Sequence, residues 1–310
     1  MARPVTTWHG FCGQRHITDS LDAHCNGALR KSKPLPHVLL GGQSGIGKTA
    51  LAESVAKAIG TKCHHLYCEK EMKPEALSEK LKVLNVSDIL FLDEVHALPY
   101  ACQELLYPAI DTLELRAAST SDDPVKIKPF TLIVASDRVG TLRNALKQRM
   151  TLNFTMFEYQ LEEMRVIASN YAASPDIGLL LNSQAVTRIA EAARGIPRKI
   201  RHLMTSLSLC HSDSQAEVTK VDVVRCLAAL GIDKNNLNGN DRRYLGFMAE
   251  RSEPISLQSI SSWMALDPMF VSRDIEAYLS KQGWVNISPR GRQLTNAGRT
   301  FVMTNGVINE

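Results

Sequence analysis

Gly42-Gln43-Ser44-Gly45-Ile46-Gly47-Lys48-Thr49 is the stretch that decides how the first half of this chain folds. It fills every position of the pattern G-x-x-x-x-G-K-[ST], and it has the flanks that the pattern requires. His37-Val38-Leu39-Leu40 precedes it as a short apolar run. Ala52, Val55, Ala56 and Ile59 follow at helical spacing, and Gly60 stands at the expected C-terminal stop. Strand, Gly-rich turn and helix in succession make half of a doubly wound α/β unit. In such a turn, glycines let backbone N–H groups close around phosphate oxygens at a helix N-terminus. Lys48 is placed to reach the β- and γ-phosphates, and Thr49 to offer a hydroxyl to Mg²⁺. An ordinary Gly-rich turn would account for the glycines but not for both flanks.

Working outward, Asp88-Ile89-Leu90-Phe91-Leu92 and Phe130-Thr131-Leu132-Ile133-Val134-Ala135 are two further apolar runs that end in polar residues. Continuously apolar strands of this kind belong in a parallel sheet covered by helices on both faces. The first run ends in Asp93-Glu94. By itself such a pair could be an acidic, helix-capping turn. Downstream of a P-loop it reads as a Walker B site, with Asp93 in the Mg²⁺ shell and Glu94 polarising an attacking water.

The 310 residues allow two or three domains, and 44% hydrophobic with 22% charged residues is the balance of a globular chain. That composition excludes a disordered, collagenous or disulfide-stapled protein. No apolar run approaches the roughly 18 residues that would span a bilayer, and the first residues do not read as a secretory signal. The net charge of +4 is too mild to name a partner. Seven scattered cysteines read as reduced thiols of a cytoplasmic protein. Cys63-His64-His65-Leu66-Tyr67-Cys68 has metal-ligand residue types, but no second Cys/His pair follows at a zinc-site spacing. A strand is expected there, not a metal centre.

Beyond Phe157, residues 162–171, 183–194, 198–208 and 220–230 read as short amphipathic helices. The Gly/Asn-rich stretch from Gly231 to Asn240 is the candidate linker. After it come helices expected over 241–250, 257–265 and 269–282. A hairpin follows, Gly283-Trp284-Val285-Asn286-Ile287, turning through Ser288-Pro289-Arg290-Gly291 and returning as Arg292-Gln293-Leu294-Thr295. Three helices and a basic hairpin are the layout of a winged helix-turn-helix. The expected organisation is a large ATPase domain over 1–155, a helical lid over 156–232 and a winged helix over 238–310.

These motifs, in this order, resemble the AAA+ ATPases and within them the bacterial RuvB Holliday-junction motors. Arg3-Pro4 and Gly13-Gln14 are similar to that family's opening segment, which lines the adenine pocket. Asp93-Glu94-Val95-His96 resembles its D-E-x-H Walker B, and Glu104-Leu105-Leu106-Tyr107-Pro108-Ala109 the stretch that follows. Phe130-Thr131-Leu132-Ile133 resembles sensor 1, Gly195-Ile196-Pro197-Arg198 the G-x-P-R of sensor 2, and Gln282-Gly283-Trp284 with Ser288-Pro289-Arg290-Gly291-Arg292 the end of the recognition helix and the wing. The resemblance covers nearly the whole chain. It implies an AAA+ P-loop core with a parallel sheet, a helical lid and a C-terminal winged helix, binding ATP with Mg²⁺ between subunits of a ring, expected to be a hexamer. Arg3, Gly45, Gly47, Lys48, Thr49, Ala50, Tyr159 and Arg198 would contact the nucleotide, and Thr49 and Asp93 the metal. Glu94, Lys48, Asp137 and Arg149 would be catalytic, with Arg149 as an arginine finger reaching a neighbouring subunit's nucleotide.

Arg290 and Arg292 flank Gly291 at the hairpin tip and would grip DNA phosphates with little sequence preference. The chain also departs from the family. Asp137 stands where the family has a threonine-rich stretch, and Ile287 where it has a further wing arginine. The segment from Leu113 to Lys128 is shorter, with Arg116-Ala117-Ala118-Ser119-Thr120-Ser121-Asp122-Asp123 in its middle. That middle is polar and small, so the apolar tip with which the family docks its partner RuvA is not expected. A hairpin is still expected, Leu113 and Leu115 answering Val125 and Ile127, with a different junction-binding adaptor left open. An ATP-driven motor on branched or double-stranded DNA is the leading expectation. The alternative is an ATP-switched DNA-binding assembly factor, such as an initiator or transposition regulator. A protein-remodelling machine is disfavoured by the lack of an aromatic pore loop.

Overall fold

The computed structural model describes residues 7–115, 124–210 and 216–306. A short ribbon, β1 (Thr7–Trp8) and β2 (Phe11–Cys12), leads into helix α1 (Arg15–Lys31). Then come β3 (Val38–Gly41), helix α2 (Lys48–Ile59), β4 (Cys63–Tyr67), helix α3 (Pro74–Lys82) and β5 (Ile89–Asp93). Helix α4 (Tyr100–Asp111) precedes a two-stranded hairpin, β6 (Glu114–Leu115) and β7 (Val125–Lys126). Strand β8 (Thr131–Ser136), helix α5 (Asn144–Arg149) and β9 (Leu152–Thr155) complete the sheet.

Strands β3, β4, β5, β8 and β9 form one parallel sheet in the order β4-β5-β8-β3-β9. The three inner strands, β3, β5 and β8, are buried on both faces, whereas the edge strands β4 and β9 are partly exposed. Ile89, Leu90, Phe91, Leu92, Leu132, Ile133 and Val134 are all essentially inaccessible to solvent. The chain leaves β3, goes out to β4 and returns through β5 and β8, so β3 lies between β8 and β9. Its register puts Gly41 beside Ser136 on one side and Thr155 on the other. The carboxyl ends of β3, β5 and β8 therefore finish close together, where open α/β sheets bind ligands. The β6–β7 hairpin pairs Leu115 with Val125, and Ile127 N–H donates to the Leu113 carbonyl, as the alternation of apolar residues predicts. The polar middle, 116–123, lies outside the described residues.

The strand expected at Cys63 forms, and its two histidines reach different carboxylates. His64 Nε2 lies 3.0 Å from Asp88 Oδ2, and His65 Nε2 lies 3.6 Å from Glu53 Oε1. Among the described residues no helix is long and apolar enough to cross a membrane.

The helices beyond the sheet are α6 (Leu161–Ala172), α7 (Ser183–Ala192), α8 (Pro197–Cys210), α9 (Lys220–Ala229), α10 (Gly239–Ala249) and α11 (Leu257–Met264). The next helix runs from Pro268 through a π-helical middle, Val271–Glu276, to Lys281. The hairpin β10 (Val285–Ser288) and β11 (Gly291–Leu294) follows. A last helix, Asn296–Asn305, is capped by the Thr295 side chain accepting from Gly298 N–H. Sequence reading passed over this helix, although Thr295 is a good N-cap and Val302, on its buried face, belongs to the winged-helix core.

Packing groups the chain into two compact units. One compact unit runs to Tyr171 and includes Gly195–His202; the other comprises Ala172–Arg194 and everything from Leu203 onward. Within the first unit the Gly195 segment is held by backbone pairing. Tyr159 N–H donates to Gly195 O at 3.0 Å, and Arg198 N–H to Gly45 O at 3.2 Å.

Within the second unit, the Gly231–Asn240 stretch is not a slack linker. Leu237 is fully buried, and Asp233 Oδ1 accepts from the N–H groups of Asn235 and Leu237 at 2.8 Å each. Asn238 and Asp241 form a reciprocal capping box on α10. Arg194 pairs with the buried Asp241, and its guanidinium lies 3.7 Å from the centre of the Tyr278 ring. The residues that made the stretch look like a linker are the ones that cap and turn it.

Gly298 is a tight point of the winged helix: a Cβ there would sit 2.1 Å from the Trp284 carbonyl oxygen, which is backbone and cannot swing away. Gly298→Ala should therefore destabilise the protein by about 3 kcal/mol. Denaturant titration followed by tryptophan fluorescence measures this, and a change within experimental error would contradict the packing described.

Candidate nucleotide site and winged-helix surface

The loop from Gly42 to Gly47 leaves β3 and enters α2 with Gly45 at φ +80° and Gly47 at φ +103°, a region L side chains rarely adopt. Space is as restrictive as φ. A Cβ on Gly45 would lie 2.6 Å from the Arg198 Cβ, and one on Gly47 would lie 3.3 Å from the Tyr159 hydroxyl. The result is an arc of backbone N–H groups at the start of α2, the geometry that binds phosphate.

Lys48 opens α2 with its side chain almost wholly buried, and Nζ donates to the carbonyls of Gly42 and Gln43 at 2.8 and 3.2 Å. Burial pulls its pKa down, while Glu94, Asp93 and Asp137 hold it up. Thr49 Oγ1 donates to Asp93 Oδ2 across 3.5 Å, linking α2 to the end of β5. Ala50, the next residue, is exposed.

Glu94 turns out of β5 in the left-handed region, φ 52°, at a cost on the order of 1–2 kcal/mol for a residue with a Cβ. Its N–H is held by Asp93 Oδ1 at 3.0 Å, and its carbonyl accepts from Ala97 N–H at 2.8 Å. The Glu94 carboxyl pKa is raised, first by burial and then by Asp137, against the pull of Lys48. His96 stands between the acids, its Nδ1 3.2 Å from Glu94 Oε2, 3.6 Å from Asp137 Oδ1 and 3.2 Å from Ser136 Oγ. Asp137 also lies 3.8 Å from Arg138 Nε. An acid at this position thus has an imidazole and a guanidinium beside it.

On the other side of the loop, Arg198 donates from Nη1 to Ser44 Oγ at 2.8 Å. Tyr159 is buried, and burial raises its phenol pKa. Gln14 clamps the neighbouring segment: its Nε2 donates to Phe157 O at 2.5 Å, and its Oε1 accepts from Phe157 N–H at 3.1 Å. Arg3 lies outside the described residues. Arg149 ends α5 away from the loop, bound to Asp111, the last residue of α4.

Hard oxygen donors on Thr49 and Asp93, beside a backbone N–H cradle and a buried lysine, fit a Mg²⁺–nucleotide. The described residues contain another group able to hold a cation, Glu94, His96 and Asp137, whose ligand atoms lie within 4.8 Å of one another.

In the C-terminal unit the two wing arginines part company. Arg290 is exposed in the two-residue turn between β10 and β11. Arg292 is not at the tip. Its Nε donates to Glu276 Oε1 at 3.0 Å, and Glu276, wholly buried, also accepts from the Tyr244 hydroxyl at 3.0 Å. Arg292, expected at the tip, is engaged by Glu276 instead. Alternation along β11 turns it inward, and a buried carboxylate needs its charge.

Two family models match the chain: the Holliday junction DNA helicase RuvB P-loop domain over residues 2–156, and the RuvB C-terminal winged helix domain over 234–303. The RuvB subunit of the Holliday junction branch migration complex of Prochlorococcus marinus (strain MIT 9303) is 30% identical over 300 residues, covering 93% of this chain and 84% of that protein. The chain belongs to the RuvB family. The Wolbachia pipientis wMel RuvB subunit is 32% identical over 298 residues, covering 94% of this chain and 91% of its own length. A Thermotoga maritima RuvB mutant structure superposes with a TM-score of 0.82 at 28% identity, covering 97% of this chain and 99% of that one.

Several neighbours of the expected site residues are not legible in the sequence. His96 was visible three places after Asp93, but nothing local tied it to Ser136 and Asp137. Ser44 under Arg198 and Asp111 under Arg149 become visible only when distant segments meet.

The two wing arginines should behave oppositely on substitution. Arg292→Ala leaves Glu276 and Tyr244 with an uncompensated buried charge and should destabilise the protein by about 3 kcal/mol. Arg290→Ala should leave the denaturation midpoint where it was. Equal effects on stability would sink the distinction.

Proposed function

We propose that this chain is an ATP-driven DNA motor of the RuvB type, acting on branched DNA. The observation that carries this reading is one constellation: the Gly45–Thr49 loop, Asp93, Glu94 and Arg198 converge at the strand ends of a chain that continues into a winged helix. The motor works as a homo-oligomeric ring, six subunits by family analogy, in the cytoplasm, where its thiols stay reduced. A junction-binding adaptor loads it, and the polar middle of the β6–β7 hairpin argues that the contact differs from an apolar docking tip.

In this reading the backbone N–H groups of Gly45, Gly47, Lys48, Thr49 and Ala50 wrap the phosphates, and Lys48 neutralises the β- and γ-oxygens. Tyr159 and the N-terminal segment, with Arg3, enclose the nucleoside. Thr49 and Asp93 hold Mg²⁺, which when bound draws charge from the phosphate oxygens. Glu94, made more basic by burial and by Asp137, takes a proton from water as that oxygen bonds to the γ-phosphorus and the bond to the ADP oxygen breaks. Asp137 acts in this step by keeping Glu94 basic, with His96 and Arg138 balancing its charge. Arg149 supplies positive charge to the transition state in the neighbouring subunit, an effect worth on the order of 10³–10⁵ in rate. Arg198 ties the nucleotide to the Gly195–His202 segment, whose chain leads back into the second unit, so hydrolysis is felt there. Arg290 grips the phosphate backbone, giving salt-sensitive binding with little sequence preference.

The test is ATP-dependent disruption of a synthetic four-way junction, with Glu94→Gln as control. Wild type should separate the arms, whereas Glu94→Gln should bind ATP and junction without turnover. ATP hydrolysis without strand movement, across a panel of adaptor candidates, would refute the motor and leave an ATP-switched DNA-binding factor. Raising salt from about 50 to 200 mM should weaken junction binding steeply, and Arg290→Ala should flatten that dependence. An unchanged salt slope would remove Arg290 from the DNA contact.

A further inference from the structure

Arg149 is held by three residues of its own unit. Its Nε donates to both oxygens of Asp111 at 3.0 and 3.1 Å, and its Nη2 donates to Asp111 Oδ2 at 2.6 Å. Its Nη1 donates to the Ala145 carbonyl at 2.8 Å, one helical turn back in α5. The Tyr107 ring lies under the guanidinium carbon at 4.5 Å. Tyr107 and Asp111 are four residues apart on α4, so they share one helix face and meet the guanidinium together.

A surface ion pair would ordinarily need no such account, because exposed pairs contribute little to stability. Asp111 is 45% exposed and Arg149 27% exposed, so stability does not explain this one. An ion pair alone also needs neither an aromatic floor nor a backbone strut. The donor count supplies a reason. A guanidinium carries five N–H groups. Asp111 takes one from Nε and one from Nη2, and Ala145 takes one from Nη1. Among the described residues, one N–H on each terminal nitrogen takes no partner, a forked pair matched to two oxygens of one phosphate. Plane, tilt and rotation of the group are set before any ligand arrives, so little freedom is lost on contact.

We propose that Asp111 and Tyr107 are positioning residues: they hold the Arg149 guanidinium so that its two remaining N–H groups face the phosphates of nucleotide bound by a neighbouring copy of this chain. This rests on the reading of Arg149 as a finger acting between subunits. Asp111 lowers the net charge at the position, yet it fixes the direction of the donors, and direction decides how well charge is stabilised in the transition state. Helix α4 begins a few residues after Glu94 and ends at Asp111, so one segment carries the water-activating acid of its own site and, at its far end, the holder of the residue used by the next.

Complementation between two defective variants tests this. Asp111→Asn should lower kcat for ATP about ten- to a hundredfold, leaving KM within about twofold, because the finger acts mainly in the transition state. Tyr107→Leu should act in the same direction and guards against a folding defect in the first variant. Each is mixed in equal amount with Glu94→Gln, which is inactive at its own site but carries an intact finger assembly. Activity should return in both mixtures, as it should with Arg149→Ala plus Glu94→Gln. If Arg149→Ala is complemented while Asp111→Asn and Tyr107→Leu are not, their defects lie within their own subunit and the positioning role is overturned, with the finger reading intact. If no mixture regains activity, the finger reading itself fails. A kcat equal to wild type in both Asp111→Asn and Tyr107→Leu also overturns the proposal.

Discussion

Three parallel strands end side by side at the nucleotide site, and there the backbone must abandon its ladder without stranding N–H and C=O groups. Each strand does so differently. From β3 the chain passes through positive-φ glycines into α2, leaving a concave row of donors. From β5 it turns at Glu94 in a left-handed conformation that a residue with a Cβ pays to adopt, anchored by Asp93 and by the Ala97 N–H. From β8 it leaves through Ser136, whose hydroxyl accepts from Arg138 N–H at 2.9 Å and meets His96 at 3.2 Å. The registers Gly41–Ser136 and Leu92–Val134 bring these exits together, so the chemistry of the site is an outcome of strand order.

That convergence concentrates charge. Asp93, Glu94 and Asp137 crowd around one buried lysine, with Arg198 on the far side of the loop. Mutual repulsion and burial push Glu94 towards its protonated form, and Lys48 and His96 push back. The outcome is a carboxyl with a raised pKa set between a lysine and an imidazole. Asp137 stands beside His96 and Arg138, and its charge helps raise the pKa of Glu94.

The winged helix solves a related problem by burial. Glu276 sits in a π-helical turn with no solvent access, and Tyr244 and Arg292 satisfy it from two other elements. A charge so placed is costly unless paired, so the wing strand is tied to the helix before it. The device uses up one of two basic residues that looked available for DNA. Arg290, in the turn, remains exposed.

Local rules were enough to read much of this protein from its residues. The P-loop, the buried strands, the Asp93-Glu94 turn and most helices follow from periodicity, glycine placement and caps, which act within a few residues of where they are written. What local rules misjudged has one physical cause. The Gly231–Asn240 stretch has the composition of a linker, but Arg188 and Arg194 reach its Asn236 from 48 and 42 residues away and tie it down. Arg292 has the neighbours of a phosphate-binding residue in sequence and those of a buried ion pair in space. Arg149 could be picked out by motif, yet Asp111 and Tyr107 beneath it could not. Sequence by itself determined which chemistry this protein carries, because residue types and short spacings specify it. The tertiary structure alone decided which charged groups remain available for that chemistry, because each guanidinium or carboxylate is claimed by whatever partner the fold brings within about 3 Å.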